Sequence, residues 1–298
     1  MRPENLLLRP TATQYCTLGC PILDAFLRGG IPCNSITEIV SESGCGKTQL
    51  SLQLLFTAQL PNNLNGLSGC SLYIYTEFPF PHRRFNQLFQ SFRLSQPILF
   101  ASSRDPRDYI FTRDCHTAHH LLDVLLQLGS RLGKVKETRL NVKLIVIDSI
   151  AALFRSDFEN NASDLKKRCS LFFRISSVLK SLAHQFGIAI VVTNQVGDSM
   201  GDDGVSGVRV GNLEGLYTSG RRVCPSLGLA WANCVNSRLF LSMNEEIEGV
   251  NNGLVDGEYS GYVNTRKRRE LHVVFAPHLA CSSCEFVITK DGVFGVDR

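Results

Sequence analysis

Four short apolar runs recur along the first two thirds of the chain, at Ser35–Val40, Ser71–Thr76, Lys143–Asp148 and Ile188–Thr193. Each is rich in Ile, Val, Leu or Tyr, and none alternates strictly with polar residues, which is the pattern of strands covered on both faces. Between them lie helix-length segments at Lys47–Leu60, Pro81–Arg93, Thr117–Leu128 and Ser163–Phe186. The last of these has Ser163 or Asp164 as its N-cap and stops at Gly187. Strand and helix in alternation predict a mainly parallel sheet with helices on both faces. After about residue 234 the texture changes. Cys234–Ser242, Leu271–Phe275 and Glu285–Thr289 read as strands and Lys290-Asp291-Gly292-Val293 as a hairpin turn, so the C-terminal part is expected to be antiparallel.

Two segments carry no period. Val196–Val223 is rich in glycine, and Asn244–Arg269 is polar and ends in the basic run Arg266-Lys267-Arg268-Arg269. Both are expected to be mobile loops, because a long structureless connection inside a compact domain is either functional or disordered. The expected organisation is a short N-terminal segment over 1–15 and one core over 16–298, with mobile loops at about 196–223 and 244–269.

Composition narrows the class. The 298 residues are 44% hydrophobic and 19% charged, with enough apolar surface to exclude a disordered or fibrous chain. No run of eighteen apolar residues is present and the N-terminal apolar run is too short for a secretory signal, so a soluble protein with no membrane partner is expected. The net charge of +4 permits a nucleic-acid partner without requiring one. Eleven scattered cysteines, an odd count, read as free thiols in a reducing compartment. Cys281 and Cys284 have the spacing of half a zinc site but no second pair nearby, and no zinc is expected.

The sharpest chemical signal is Ser41-Glu42-Ser43-Gly44-Cys45-Gly46-Lys47-Thr48. A phosphate cradle needs small residues so that main-chain N–H groups converge on the anion, a lysine for the β and γ oxygens, and a hydroxyl for Mg²⁺. Gly44 and Gly46 permit the tight turn, Lys47 supplies the cation and Thr48 the metal ligand, while Ser41 stands where the usual pattern begins with glycine. Gly-Lys-Ser/Thr arises by accident on the order of 0.1–0.2 times in such a chain, so context decides: a strand runs straight into the loop and a helix starts at the lysine. Cys45, near that helix N-terminus, is expected to have a lowered thiol pKa and to make nucleotide binding sensitive to thiol reagents.

Three further strands end in polar groups at the carboxyl edge, where open α/β sheets bind ligands. Asp148 closes Leu144-Ile145-Val146-Ile147-Asp148 and either holds a Mg²⁺ shell or caps the next helix. Glu77 closes Leu72–Glu77 and either orients the water attacking a γ-phosphate or is a surface glutamate. Asn194 and Gln195 close the fourth strand, and either relay a γ-phosphate contact to the glycine-rich segment or satisfy nearby main chain.

The order of these features, with Gly19-Cys20-Pro21-Ile22-Leu23-Asp24, Ile147-Asp148-Ser149, Thr193-Asn194-Gln195-Val196 and Pro225–Asn233, resembles the RecA/RadA recombinase family from about residue 15 to the end. The resemblance implies an α/β, RecA-like P-loop ATPase core, a mainly parallel sheet flanked by helices with a C-terminal antiparallel extension. It implies ATP with Mg²⁺ as cofactors: Ser43, Gly44, Cys45, Gly46, Lys47, Thr48, Gln49 and Arg84 as nucleotide-binding residues, with Arg84 stacked on adenine, and Thr48 and Asp148 on the metal. Glu77, Lys47 and Gln195 are the implied catalytic set, Gln195 also opening the second DNA-binding loop, and Ala276-Pro277-His278 the segment capping a neighbouring subunit's ATP.

The implied function is that of an ATP-binding recombinase paralogue, a nuclear protein of homologous recombination in double-strand break repair and meiosis. It would assemble with a paralogue of the C type, with the main recombinase as a further candidate partner, and act on single-stranded or branched DNA, with weak DNA-dependent ATP hydrolysis. The alternative is an autonomous DNA-stimulated ATPase that catalyses strand exchange. Fewer than twenty residues precede the core, and no Phe-x-x-Ala motif is present ahead of it. The loop Val196–Val223 sets Arg209, Arg221 and Arg222 against Asp198, Asp202, Asp203 and Glu214, with only Tyr217 able to stack on a base. Both features weigh against the alternative. A metabolic P-loop kinase would need an acceptor pocket and lid that nothing in the chain marks. The basic run 266–269 reads equally as an import signal, a phosphate contact or a solvated loop.

Overall fold

The computed structural model describes residues 13–97, 105–134, 141–155, 158, 161–198, 216–255 and 258–297. A two-stranded entry, β1 (Tyr15–Cys16) and β2 (Ile31–Pro32), brackets helix α1 (Pro21–Phe26). Alternating elements follow: β3 (Ser35–Ser41), α2 (Lys47–Thr57), β4 (Cys70–Tyr75), α3 (His82–Ser95), β5 (Ile110–Asp114), α4 (Ala118–Gly133), β6 (Val142–Asp148), α5 (Ala162–Phe186) and β7 (Ala189–Asn194). Three short strands, β8 (Val196–Asp198), β9 (Tyr217–Thr218) and β10 (Arg221–Pro225), form a small separate sheet. Helix α6 (Gly228–Ala232) leads into β11 (Ser237–Val255), β12 (Glu258–Phe275), β13 (Ser283–Ile288) and β14 (Val293–Gly295).

Among the described residues one nine-stranded sheet has the order β14-β13-β12-β11-β3-β7-β6-β4-β5. The stretch from β11 to β5 is parallel, and β12, β13 and β14 add to it antiparallel. Both halves follow the expected RecA-like layout. The apolar runs do not alternate because each face has its own core. Leu144, Val146, Ala189 and Val191 pack under α2 and α3 with Leu50, Leu54, Phe56, Phe85 and Phe89. Ile145, Ile147, Ile190 and Val192 pack under α4 and α5 with Leu121, Leu125, Phe172, Ile175 and Leu179. Each such buried Val, Leu, Ile or Phe side chain contributes about 1.5–3 kcal/mol.

The structure differs from the sequence reading at identifiable points. Helix α5 begins at Ala162, capped by Asn161, whose side chain accepts from Asp164 N at 2.9 Å; neither Ser163 nor Asp164 is the cap. Gly187 at φ +66° ends it, as expected. Edge strand β5 has a largely exposed polar sequence with little apolar signal, yet it pairs in parallel with β4 from Ser71–Ile110 to Tyr75–Asp114. The segment 244–269, expected as a loop, is mostly strand: β11 and β12 run on past the sheet as a two-stranded antiparallel ribbon. Main-chain pairing needs no apolar period, and opposite charges face each other across the ladder, Glu245 with Lys267 and Glu246 with Arg266. The basic run is thereby engaged: Arg268 meets Glu246 at 2.8 Å, Glu270 at 3.0 Å and Glu285 at 3.3 Å. Of the glycine-rich segment, 196–198 and 217–225 contribute strand, and 199–215 lie outside the described residues. No described helix is long and apolar enough to cross a membrane.

Candidate nucleotide site

The parallel register brings four strand ends level. Tyr75 is opposite Asp148, Ile147 opposite Val192, and Val40 opposite Asn194. The residues that follow these positions therefore meet at one carboxyl edge. Ser41, Glu42, Ser43, Gly44, Gly46, Lys47, Thr48 and Gln49 line a cleft of about 730 Å³ there, with Glu77, Asp148 and Gln195 across from them. That volume lies within the range of small-molecule sites.

The loop geometry explains which glycines the sequence needs. Gly44 and Gly46 have φ +83° and +120°, conformations that favour glycine, and a Cβ on Gly46 would come within 2.8 Å of Ile288. Ser41 is still part of β3, so extended backbone is all its position requires and the missing glycine costs nothing there. Its hydroxyl accepts from Lys47 Nζ at 3.1 Å, and the same ammonium donates to the carbonyls of Ser41 and Glu42 at 2.7 and 3.0 Å. Burial pulls the Lys47 ammonium below its ordinary value, opposed first by Asp148.

Asp148 does not cap a helix. Its carboxylate accepts from three hydroxyls: Thr48 at 2.7 Å, Tyr73 at 2.6 Å and Thr193 at 2.6 Å. Burial, with Asp148 alongside, pushes the Tyr73 phenol far up, so it remains a donor. Glu77 accepts from Gln195 Nε2 at 2.8 and 3.1 Å and from Arg155 at 3.1 Å. Gln195 does more than satisfy nearby main chain, for its side chain spans the cleft to Glu77 while its carbonyl accepts from Ser226 N at 2.9 Å.

Residues 10–211 match the Rad51 family. The chain belongs to that family. It is 53% identical over 298 residues to the DNA repair protein XRCC3 homolog of Arabidopsis thaliana, covering 99% of this chain and 98% of the relative. It is 34% identical to DNA repair protein XRCC3 of Mus musculus, covering 96% and 77%. It is 33% identical to DNA repair protein RAD51 homolog 2 of the same organism, covering 91% and 72%. This Rad51-family chain is a recombinase paralogue of homologous-recombination DNA repair.

Membership implies a bound nucleotide with a divalent metal, and the residues present fit both. Lys47 brings an ammonium to the cleft lined by Gly44 and Gly46, suited to phosphate oxygens, and Thr48 Oγ1 with Asp148 Oδ2 forms a pair of oxygen donors suited to a hard cation.

The side chains of two members of the expected nucleotide set have protein partners. Cys45 points into the core, fully buried against Thr218, and its thiol pKa is raised by that burial, which outweighs the helix N-terminus. The expected reactive thiol is therefore corrected to a shielded one. Arg84 donates to the side chain of Gln49, which lines the cleft, and to the Gln87 side chain and the Thr289 and Lys290 carbonyls, tying α3 to the β13–β14 turn beside the cleft. Ala276-Pro277-His278 follow the end of β12 at Phe275, which pairs with Arg238 near the start of β11, so they lie toward the sheet edge opposite the cleft. The sequence reading missed Tyr73, Thr193 and Arg155. Only Tyr73 carried a signal, since a tyrosine inside a buried strand needs a partner for its hydroxyl.

Proposed function

We propose that the cleft binds ATP with Mg²⁺, and that this Rad51-family protein is an ATP-binding assembly factor acting in the nucleus on recombination intermediates. Its partner in that reading is a recombinase paralogue of the C type, with the main recombinase as a further candidate, and its nucleic-acid ligand is single-stranded or branched DNA in double-strand break repair and meiosis. Residues 1–15 serve as a lead-in, and 16–298 as the ATPase core.

The observation that carries this reading is the convergence of Lys47, Thr48, Asp148, Glu77 and Gln195 on one cleft. Lys47 would neutralise terminal phosphate oxygens, and Thr48 and Asp148 would hold the metal, Asp148 through water. The metal, when bound, would supply positive charge that offsets the charge of the phosphates. Glu77 is aimed to orient or accept a proton from water, with weak hydrolysis as the consequence. Its contact with Gln195 joins that position to the chain entering the 196–223 segment, so that occupancy would be read there. In this reading Ala276-Pro277-His278, at the opposite edge of the sheet, would reach a neighbouring subunit's cleft and not its own.

The test is Lys47→Ala. ATP affinity should fall at least about a hundredfold, nucleotide-dependent co-purification with the C-type paralogue should vanish, and the melting curve should stay within a few degrees of wild type. Full nucleotide affinity in that variant would end the reading. Vigorous single-strand-stimulated turnover by the wild-type protein alone would favour the autonomous strand-exchange ATPase instead.

A further inference from the structure

The phosphate loop is tied to the small β8–β10 sheet through one carboxylate. Glu42 accepts from Ser219 Oγ at 2.8 Å and Thr218 Oγ1 at 3.4 Å, and it pairs with Arg221. The other arm of the Arg221 fork pairs with Asp198, at the end of β8. Burial would raise the Glu42 carboxyl, but the Ser219, Arg221 and Thr218 contacts outweigh it and the net shift is downward.

Arg221 also lines the cleft that holds Lys47, Asp148, Glu77 and Gln195. Its side chain is 45% exposed, and Asp198 is 67% exposed. Ion pairs this accessible to solvent are screened and contribute little net stability. A terminal phosphate carries more charge than either carboxylate and presents oxygens that match both arms of a guanidinium. The comparison of magnitudes favours transfer of the arginine from the two carboxylates to a phosphate within the same cleft.

We propose that Arg221 is a terminal-phosphate ligand supplied by the same chain, held at the cleft mouth by Glu42 and Asp198 and exchanged onto the γ-phosphate of a bound triphosphate. The exchange releases the Asp198 carboxylate at the end of β8, the strand that directly follows Gln195, while the main-chain pairing of β8 with β10 stays in place, so triphosphate and diphosphate leave the side chains of this sheet differently paired. The inference rests on the reading of the cleft as an ATP site.

The experiment measures equilibrium affinity of the full chain for a non-hydrolysable ATP analogue and for ADP, both with Mg²⁺. Wild type should favour the triphosphate. Arg221→Ala should weaken the analogue by on the order of tenfold or more and leave ADP unchanged, removing the preference. Arg221→Gln, which keeps some hydrogen bonding, should behave the same way if charge is what matters. Glu42→Gln removes a competitor for the arginine and should tighten the analogue severalfold. An unchanged analogue-to-ADP ratio in both Arg221 variants, each melting like wild type, overturns this proposal while the site reading stands. A wild-type protein that binds neither nucleotide overturns both.

Discussion

Arg238 stands directly opposite Glu38 in the parallel pairing of β11 with β3 and donates through Nε to Glu38 Oε2 at 2.5 Å, with both side chains buried. Asn194 Nδ2 donates to the other oxygen of the same carboxylate at 2.7 Å. One carboxylate thus links three adjacent strands, β7, β3 and β11, just below the edge that carries the phosphate loop and Gln195.

A buried pair of this kind contributes little net stability while intact, but removing one partner leaves an uncompensated charge. Glu38→Ala is expected to cost about 3–5 kcal/mol, read as a lowered urea midpoint. The double variant Glu38→Leu/Arg238→Met should recover a large part of that loss. A single variant as stable as wild type would show that the pair is not desolvated in solution.

How far the sequence carried the fold depends on what set each element. β3, β4, β6 and β7 were legible because strands covered on both faces must be apolar throughout, and the phosphate loop because its backbone at Gly44 and Gly46 demands glycine. β5 was not, since an edge strand with an exposed face needs no apolar signature. The ribbon of β11 and β12 is held by main-chain pairing and facing charges such as Glu245 and Lys267, which a search for hydrophobic period does not find. Cys45 was misjudged because helix position was weighed without burial, and burial is the larger effect. In the site, Lys47 and Thr48 were legible from the glycine-rich loop and helix start, and Asp148, Glu77 and Gln195 from the ends of strands. Tyr73, Thr193 and Arg155 were not, because their roles depend on register between strands far apart in the chain.

The buried thiols make stability depend on pH. Burial pushes Cys33 and Cys115 from an ordinary value of 9.0 to about 11. In the unfolded chain these thiols ionise from about pH 9, while the folded protein keeps them neutral. Their contribution is therefore complete below pH 9 and is lost as pH rises through about 11. Urea midpoints in reductant should hold steady from pH 7 to 9 and then fall. A Cys33→Ala/Cys115→Ala variant should lose part of that fall.

Alkylation of the native protein follows the same burial. Cys224 and Cys281 are exposed, whereas Cys45 is buried with a raised pKa. Iodoacetamide at neutral pH should modify Cys224 and Cys281 first, leaving Cys45 intact and nucleotide affinity unchanged. Rapid labelling of Cys45 by peptide mapping would contradict the packing described here.

Tyr73→Phe removes one of the hydroxyls that donate to Asp148 and leaves the ring in place against Phe80. A hydrogen bond to a charged acceptor contributes about 1.5–3 kcal/mol, so the variant should melt at a lower temperature. Because Asp148 is also paired with Thr48, the Mg²⁺ concentration needed for half-maximal nucleotide binding should shift too. A stability change with no shift in that metal titration would make Tyr73 a packing residue only.

Glu77 has two partners from different parts of the chain. Gln195, just past β7, donates to it within the cleft, and Arg155 donates from the turn that follows β6. Glu77→Gln keeps the size and some hydrogen bonding of the side chain but cannot accept a proton from water. Any ATP turnover should drop by about 10²–10⁴-fold, while affinity for a non-hydrolysable analogue stays within a few-fold of wild type. Loss of binding together with turnover would instead mean that Glu77 shapes the cleft through Gln195. Arg155→Ala separates the two roles: it leaves the carboxylate in the cleft, so turnover should fall only modestly if Glu77 acts on water, and Gln195 alone should suffice to position it.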